Sequence, residues 1–137
     1  MLNNEEDIHV PGCYGCCPTN PIGLKVRFAV QNGRLEGEFT SNEHHVGPPG
    51  AVHGGVIAAL MDEALSFLCR SVLKWNVRTL REEITFRNSS PIGEKIRIEA
   101  YIEEEKKRRV FAKARVYSGK KTIAEATGTL FKVQGSA

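Results

Sequence analysis

The spacing of apolar residues changes from two to three-and-four and back to two along the chain, and those changes divide it into elements. Leu24, Val26, Phe28 and Val30 alternate with Lys25 and Arg27, which predicts a half-buried strand over residues 24–30. Gln31-Asn32-Gly33 follows as a hairpin turn, because Asn-Gly accepts positive φ. Residues 34–40 return as a strand with Leu35, Gly37 and Phe39 facing in. Residues 41–50 show no period and read as a loop carrying His44, His45 and the rigid Pro48-Pro49. From residue 51 to 73 the spacing becomes three and four. Ile57, Leu60, Met61, Ala64, Leu68 and Val72 form an apolar stripe of one long helix, entered through His53-Gly54-Gly55. A second stripe, Ala58, Ala59, Asp62, Ser66 and Cys69, consists of small residues around one carboxylate.

Period two resumes over residues 77–87, with Leu80, Ile84 and Phe86 on one face and Thr79, Arg81, Glu83 and Thr85 on the other. Residues 88–93 form a turn. Residues 94–104 alternate through Ile96, Ile98, Ala100 and Ile102, residues 105–108 make a charged turn, and residues 109–118 alternate through Val110, Ala112, Ala114 and Val116. After Gly119-Lys120-Lys121 the last strand spans residues 122–133, where small Ala124, Ala126 and Gly128 let another layer pack close. Short connections among the last four strands require them to run antiparallel. One long helix against an antiparallel sheet is an α+β fold.

At 137 residues and 41% apolar, the chain reads as a single domain over 1–137 with enough material for a core. No apolar run is long enough to span a membrane, and the N-terminus lacks a signal pattern, so the expected location is cytoplasmic. A formal net charge of +3 does not call for nucleic acid, and no aromatics interleave with the basic residues 106–109. It suits an anionic small ligand equally well.

Residues 1–23 are rich in Asn, Gly, Pro and Cys. The first twelve read as a flexible tail and the rest as a structured loop. Cys13, Cys16 and Cys17 lie there. Reduced, unliganded thiols are the expected state of a cytosolic protein, so no metal is assigned. A zinc set of His9, Cys13, Cys16 and Cys17 and a redox pair are the competing readings; adjacent Cys16 and Cys17 make tetrahedral closure awkward.

The helix start has chemistry of its own. Gly54 and Gly55 let another molecule approach the backbone. The first N–H groups of a helix have no internal partner and carry partial positive charge, so they can meet an anionic or carbonyl oxygen. The string GPPGAVHGGVIAALMDEA at residues 47–64, with an acid nine positions after the His, resembles the hotdog-fold acyl-CoA thioesterases. The phenylacetate-pathway branch is the most similar. The likeness continues into TLREEITFRNSSPIG at residues 79–93, and CxxC followed by Asn20-Pro21-Ile22-Gly23-Leu24 resembles the lead-in of some relatives.

That resemblance implies a hotdog fold, in which one central helix is wrapped by a curved antiparallel sheet. It implies hydrolysis of acyl-CoA without a cofactor, in a homodimer or dimer of dimers. Asp62 would be general base or nucleophile, and Gly54 the oxyanion donor. His53 would order the turn or help bind the thioester, and Thr79 would hydrogen-bond the carboxylate or the water. Gly55 would touch substrate, and Arg87, Lys107 and Arg108 would meet the coenzyme A phosphates or simply form solvated charge. Some relatives carry Asn six residues before the motif's His; here that residue is Gly47. Gly54 and Asp62 are eight residues apart, about 12 Å along a helix. That is too far for one carbonyl, so each site is expected to be shared between two chains. A non-catalytic acyl-CoA-binding module is the alternative reading.

Overall fold

The structure, a computed structural model, describes residues 10–136. The first nine residues, and with them His9 and most of the predicted tail, lie outside the described residues. Strands β1 (Arg27–Gln31) and β2 (Arg34–Thr40) precede the helix α1 (Gly54–Leu73). Strands β3 (Trp75–Phe86), β4 (Lys95–Lys106), β5 (Arg109–Ser118) and β6 (Lys121–Ser136) follow it. All six strands form one antiparallel sheet in the order β1-β2-β4-β5-β6-β3. α1 packs against every strand. This is the expected α+β hotdog arrangement, a helix held in the hollow of its sheet.

Local chemistry accounts for most of the element ends. Asn32 and Gly33 take positive φ, which closes the β1–β2 hairpin in two residues. Lys107 and Gly119 supply the same conformation in the turns after β4 and β5. α1 begins at an N-cap, His53, and ends at left-handed Lys74, whose N–H returns to the Arg70 carbonyl. β1 begins three residues later than the alternation suggests, because Lys25 has φ 53° and breaks the extended run. Leu24 and Val26 are buried nonetheless. Their N–H groups bond to the Tyr14 and Gly15 carbonyls of the N-terminal loop.

The helix is more enclosed than one stripe implies. Leu65, Phe67, Cys69 and Ser71 are buried along with Ile57, Leu60, Met61, Ala64 and Leu68, whereas Val72 is exposed. The sheet covers one side, and the loop around Gly15 covers another. A Cβ on Gly15 would stand 2.6 Å from the Glu63 Cγ. On the sheet side, a Cβ on Gly128 would stand 2.5 Å from Leu65 Cδ1, so the small residues of β6 do allow close layering. What stays partly open is Ala58, Ala59, Asp62 and Ser66.

Two features differ from the simple reading. β3 pairs with β6 and not with β4, so the chain between β3 and β4 crosses to the far side of β5 and β6. β3 also carries a bulge: Thr79 faces Leu130 and Arg81 faces Thr129, leaving Leu80 extra. The bulge moves Thr79 onto the helix-facing side with Ile84 and Phe86, and turns Leu80 outward to 55% exposure. Among the described residues no helix is long and apolar enough to cross a membrane.

Candidate active site

Two loops fix the entry to α1. The Val52 N–H bonds to the Ser90 carbonyl and the His53 N–H to the His45 carbonyl. Gly47 packs directly under His53, where a Cβ would stand 2.6 Å from the His53 Cα. The position at which some relatives carry Asn therefore has no room here for any side chain.

His53 caps the helix with its ring: Gly55 N–H donates to His53 Nδ1 at 2.8 Å. Gly55 is glycine because a Cβ would lie 2.9 Å from that nitrogen. Its N–H is thereby occupied. The Gly54 N–H, by contrast, meets no acceptor among the described residues. A Cβ on Gly54 would make only ordinary contact with the Phe86 ring, at 3.6 Å. Of the two glycines, Gly54 is the one left to meet an incoming oxygen.

Two turns further on, Asp62 receives a hydrogen bond from Thr79 Oγ1 to its Oδ1 at 2.7 Å. The Leu80 bulge makes this contact possible. Glu63 points to the other side of the helix, toward the N-terminal loop and Arg70, at 3.5 Å from the guanidinium.

A second carboxyl that sequence reasoning missed stands beside Asp62. Glu82 lies on the helix-facing side of β3, and its Oε1 is buried without a hydrogen-bond partner among the described residues. Burial first, and the charge of Asp62 second, push its carboxyl up to about 7. The signal was present in the alternation, since Glu82 sits between Leu80 and Ile84 at the parity read as apolar.

The basic residues are not brought together within one chain. Arg87 lies at the end of β3 beside the helix start and pairs with Glu125 at 3.2 Å. Lys107 and Arg108 form the β4–β5 turn at the opposite end of the sheet, level with Arg78. Arg108 bonds to the Lys132 carbonyl at 3.1 Å and lies over the Phe131 ring. A cleft of about 440 Å³ lies on the outer sheet face between Arg34, Glu99, Tyr101 and Arg115. It contains none of the predicted site residues.

The zinc set considered above does not assemble. Cys17 is turned to Thr19, with Sγ and Oγ1 3.3 Å apart, and His9 lies outside the described residues. Cys13 and Cys16 instead converge on Glu63.

Residues 49–125 match the family model described as the thioesterase superfamily. Among solved structures, the chain is similar to the PaaI protein of the Escherichia coli phenylacetic acid degradation operon. The TM-score is 0.77 at 18% identity, covering 82% of this chain and 83% of that one. A Streptococcus mutans protein bound to acetyl-CoA gives 0.76 at 19%, covering 82% and 91%. A hypothetical thioesterase of Streptococcus pneumoniae with coenzyme A gives 0.75 at 16%, covering 81% and 90%. No curated protein sequence gives a significant match.

Proposed function

The chain belongs to the thioesterase superfamily, and from that premise we propose that it hydrolyses acyl-CoA thioesters at a site shared by two protomers. The observation that carries this reading is the pair of features on α1: a Gly54 N–H with no partner among the described residues and an Asp62 carboxylate held by Thr79 at 2.7 Å.

Each has one part in the reaction. The thioester oxygen gains negative charge as its carbon becomes tetrahedral, and the Gly54 N–H at the helix start meets that charge without reorganising. Asp62 either takes a proton from water or attacks the carbonyl carbon itself. Thr79 donates to one carboxylate oxygen, which leaves the other to act. Coenzyme A departs as a thiolate. His53 acts by shaping the turn that presents Gly54, since its ring nitrogen is already bonded to the Gly55 N–H. Gly55 then contributes by letting the substrate approach, not as a donor.

The two-chain arrangement follows from distance. Eight residues of helix separate Gly54 from Asp62 by about 12 Å, whereas an oxyanion donor and a base must both lie within about 3 Å of the reacting group. Two antiparallel helices about a two-fold axis place one Gly54 beside the other Asp62. The partly open stripe of Ala58, Ala59 and Ser66 is small enough for such an approach. The same axis brings Arg87 of one chain to the sheet end that carries Lys107 and Arg108 of the other, where the coenzyme A phosphates would lie.

The test is thiol release from short, long and aryl acyl-CoAs by the purified protein. Turnover of one class is the expected result. Tight binding of acyl-CoA without turnover would favour the ligand-binding module instead.

A further inference from the structure

Independently of the reaction, we propose that Cys13, Cys16 and Glu63 form a binding site for a thiophilic divalent cation, with zinc as the fitting ion. The two sulfurs and a Glu63 oxygen all lie within 4.8 Å of one another. Thiolates held about 2.3 Å from a tetrahedral zinc stand about 3.8 Å apart. The observed spacing therefore needs a shift of no more than about an ångström to close on an ion.

The surrounding structure builds this cluster. The Cys17 N–H bonds to the Cys13 carbonyl, which curls residues 13–17 into a turn with both cysteines on one side. Bonds from the Leu24 and Val26 N–H groups to the Tyr14 and Gly15 carbonyls pin that turn to the body of the fold. Gly15 lets it press onto Glu63, at a distance no side chain would allow. Cys16 is 2% exposed and Cys13 is half-buried. The Glu63 Oε1 is buried without a hydrogen-bond partner among the described residues, although Arg70 approaches it to 3.5 Å.

Charge and ligand chemistry point the same way. Arg70 sits behind Glu63 as an orienting partner of a ligating carboxylate does. Two thiolates, one carboxylate, one guanidinium and one Zn²⁺ sum to zero, so a buried ion would leave no net charge behind. Binding would expel two thiol protons. Thiols discriminate against Mg²⁺ and Ca²⁺, which prefer oxygen. Cys17, turned to Thr19, does not supply the fourth ligand; water would. Glu63 is what changes the expectation of unliganded thiols, because it was not among the ligands that the spacing of the cysteines suggested.

The ion would tie the N-terminal loop to the middle of α1. The test uses the full chain, purified under reducing conditions and stripped of metal by chelation. Returned to zinc and freed of excess, it should retain about one ion per chain by elemental analysis. Cobalt should give a thiolate-to-metal charge-transfer band and the visible bands of a tetrahedral site. Cys16→Ser and Glu63→Gln should each reduce retention, and zinc should shield two thiols of the wild-type chain from a thiol reagent. The shielding measurement needs no variant, so it stands even if a substitution impairs folding. Folded protein that retains no zinc and leaves both thiols reactive would overturn the proposal. So would a Cys13–Cys16 disulfide as the resting state, or zinc retained undiminished in Cys16→Ser.

Discussion

At the smallest scale, the proposed chemistry rests on Asp62 and its two neighbours on β3. Asp62→Asn keeps the shape and removes the base or nucleophile. It should lower kcat by about a thousandfold or more with little change in KM, because the lost interaction is made in the transition state. Thr79→Ala should lower kcat by about 10- to 100-fold, since a hydrogen bond to a charged group is worth roughly 1.5–3 kcal/mol. Steady-state kinetics on folded variants check both. Glu82 gives a pH-dependent expectation. Its carboxyl is raised from 4.5 to about 7, so the folded chain holds the proton more tightly than the unfolded chain does. Stability from this group is complete below about 4.5 and is lost as pH rises through about 7. Glu82→Gln should match the wild-type Tm at low pH and exceed it at pH values above that range. Parallel Tm–pH curves for the two proteins would remove Glu82 from the titration. Asp62 and Gly54 become candidates through the family resemblance of His53-Gly54-Gly55 and the acid nine positions after the His, not through periodicity alone. Glu82 is marked only as an acid at an apolar parity, a signal that acquires meaning once Asp62 on the helix beside it is known.

Among the elements, the helix start depends on close packing more than on capping alone. Gly47→Ala would drive a Cβ toward the His53 Cα, which is backbone and cannot rotate away. The expected cost is about 1–3 kcal/mol and a Tm lower by several degrees, with kcat falling as the Gly54 N–H is displaced. Thermal unfolding and kinetics on the same sample measure both effects. The same scale shows what sequence can and cannot convey. Alternation located all six strands to within three residues, and Asn32-Gly33 marked its turn because few other residue pairs adopt that geometry. The Leu80 bulge left no trace, because Leu80 is itself apolar and stands at the same parity as Ile84 and Phe86. The partnership of β3 with β6 was hidden as well. Connection lengths constrain strand direction but not which strand lies alongside, and that depends on the helix filling the hollow between them.

The whole molecule is where the account makes its largest demand. β3 is an edge strand of twelve residues, and Leu80, Phe86 and Trp75 on or beside it are exposed. A long apolar edge invites pairing. With the open helix stripe, it leads to the expectation of a dimer or tetramer of the 15.2 kDa chain. Light scattering at micromolar concentration should give at least twice that mass; a monomer would contradict the expectation. The proposed shared site then permits a direct trial. Asp62→Asn and Gly54→Pro are each inactive as homodimers on this account. Proline is tolerated at the first turn of a helix, and His53, at ψ 134°, already has the extended backbone that precedes proline. Co-expression gives mixed dimers in which one site collects both defects and the other collects none. Random mixing makes half the dimers mixed, so about a quarter of wild-type activity should return. No recovery, with both variants folded and mixed dimers isolated, would contradict a site built from Gly54 of one chain and Asp62 of the other.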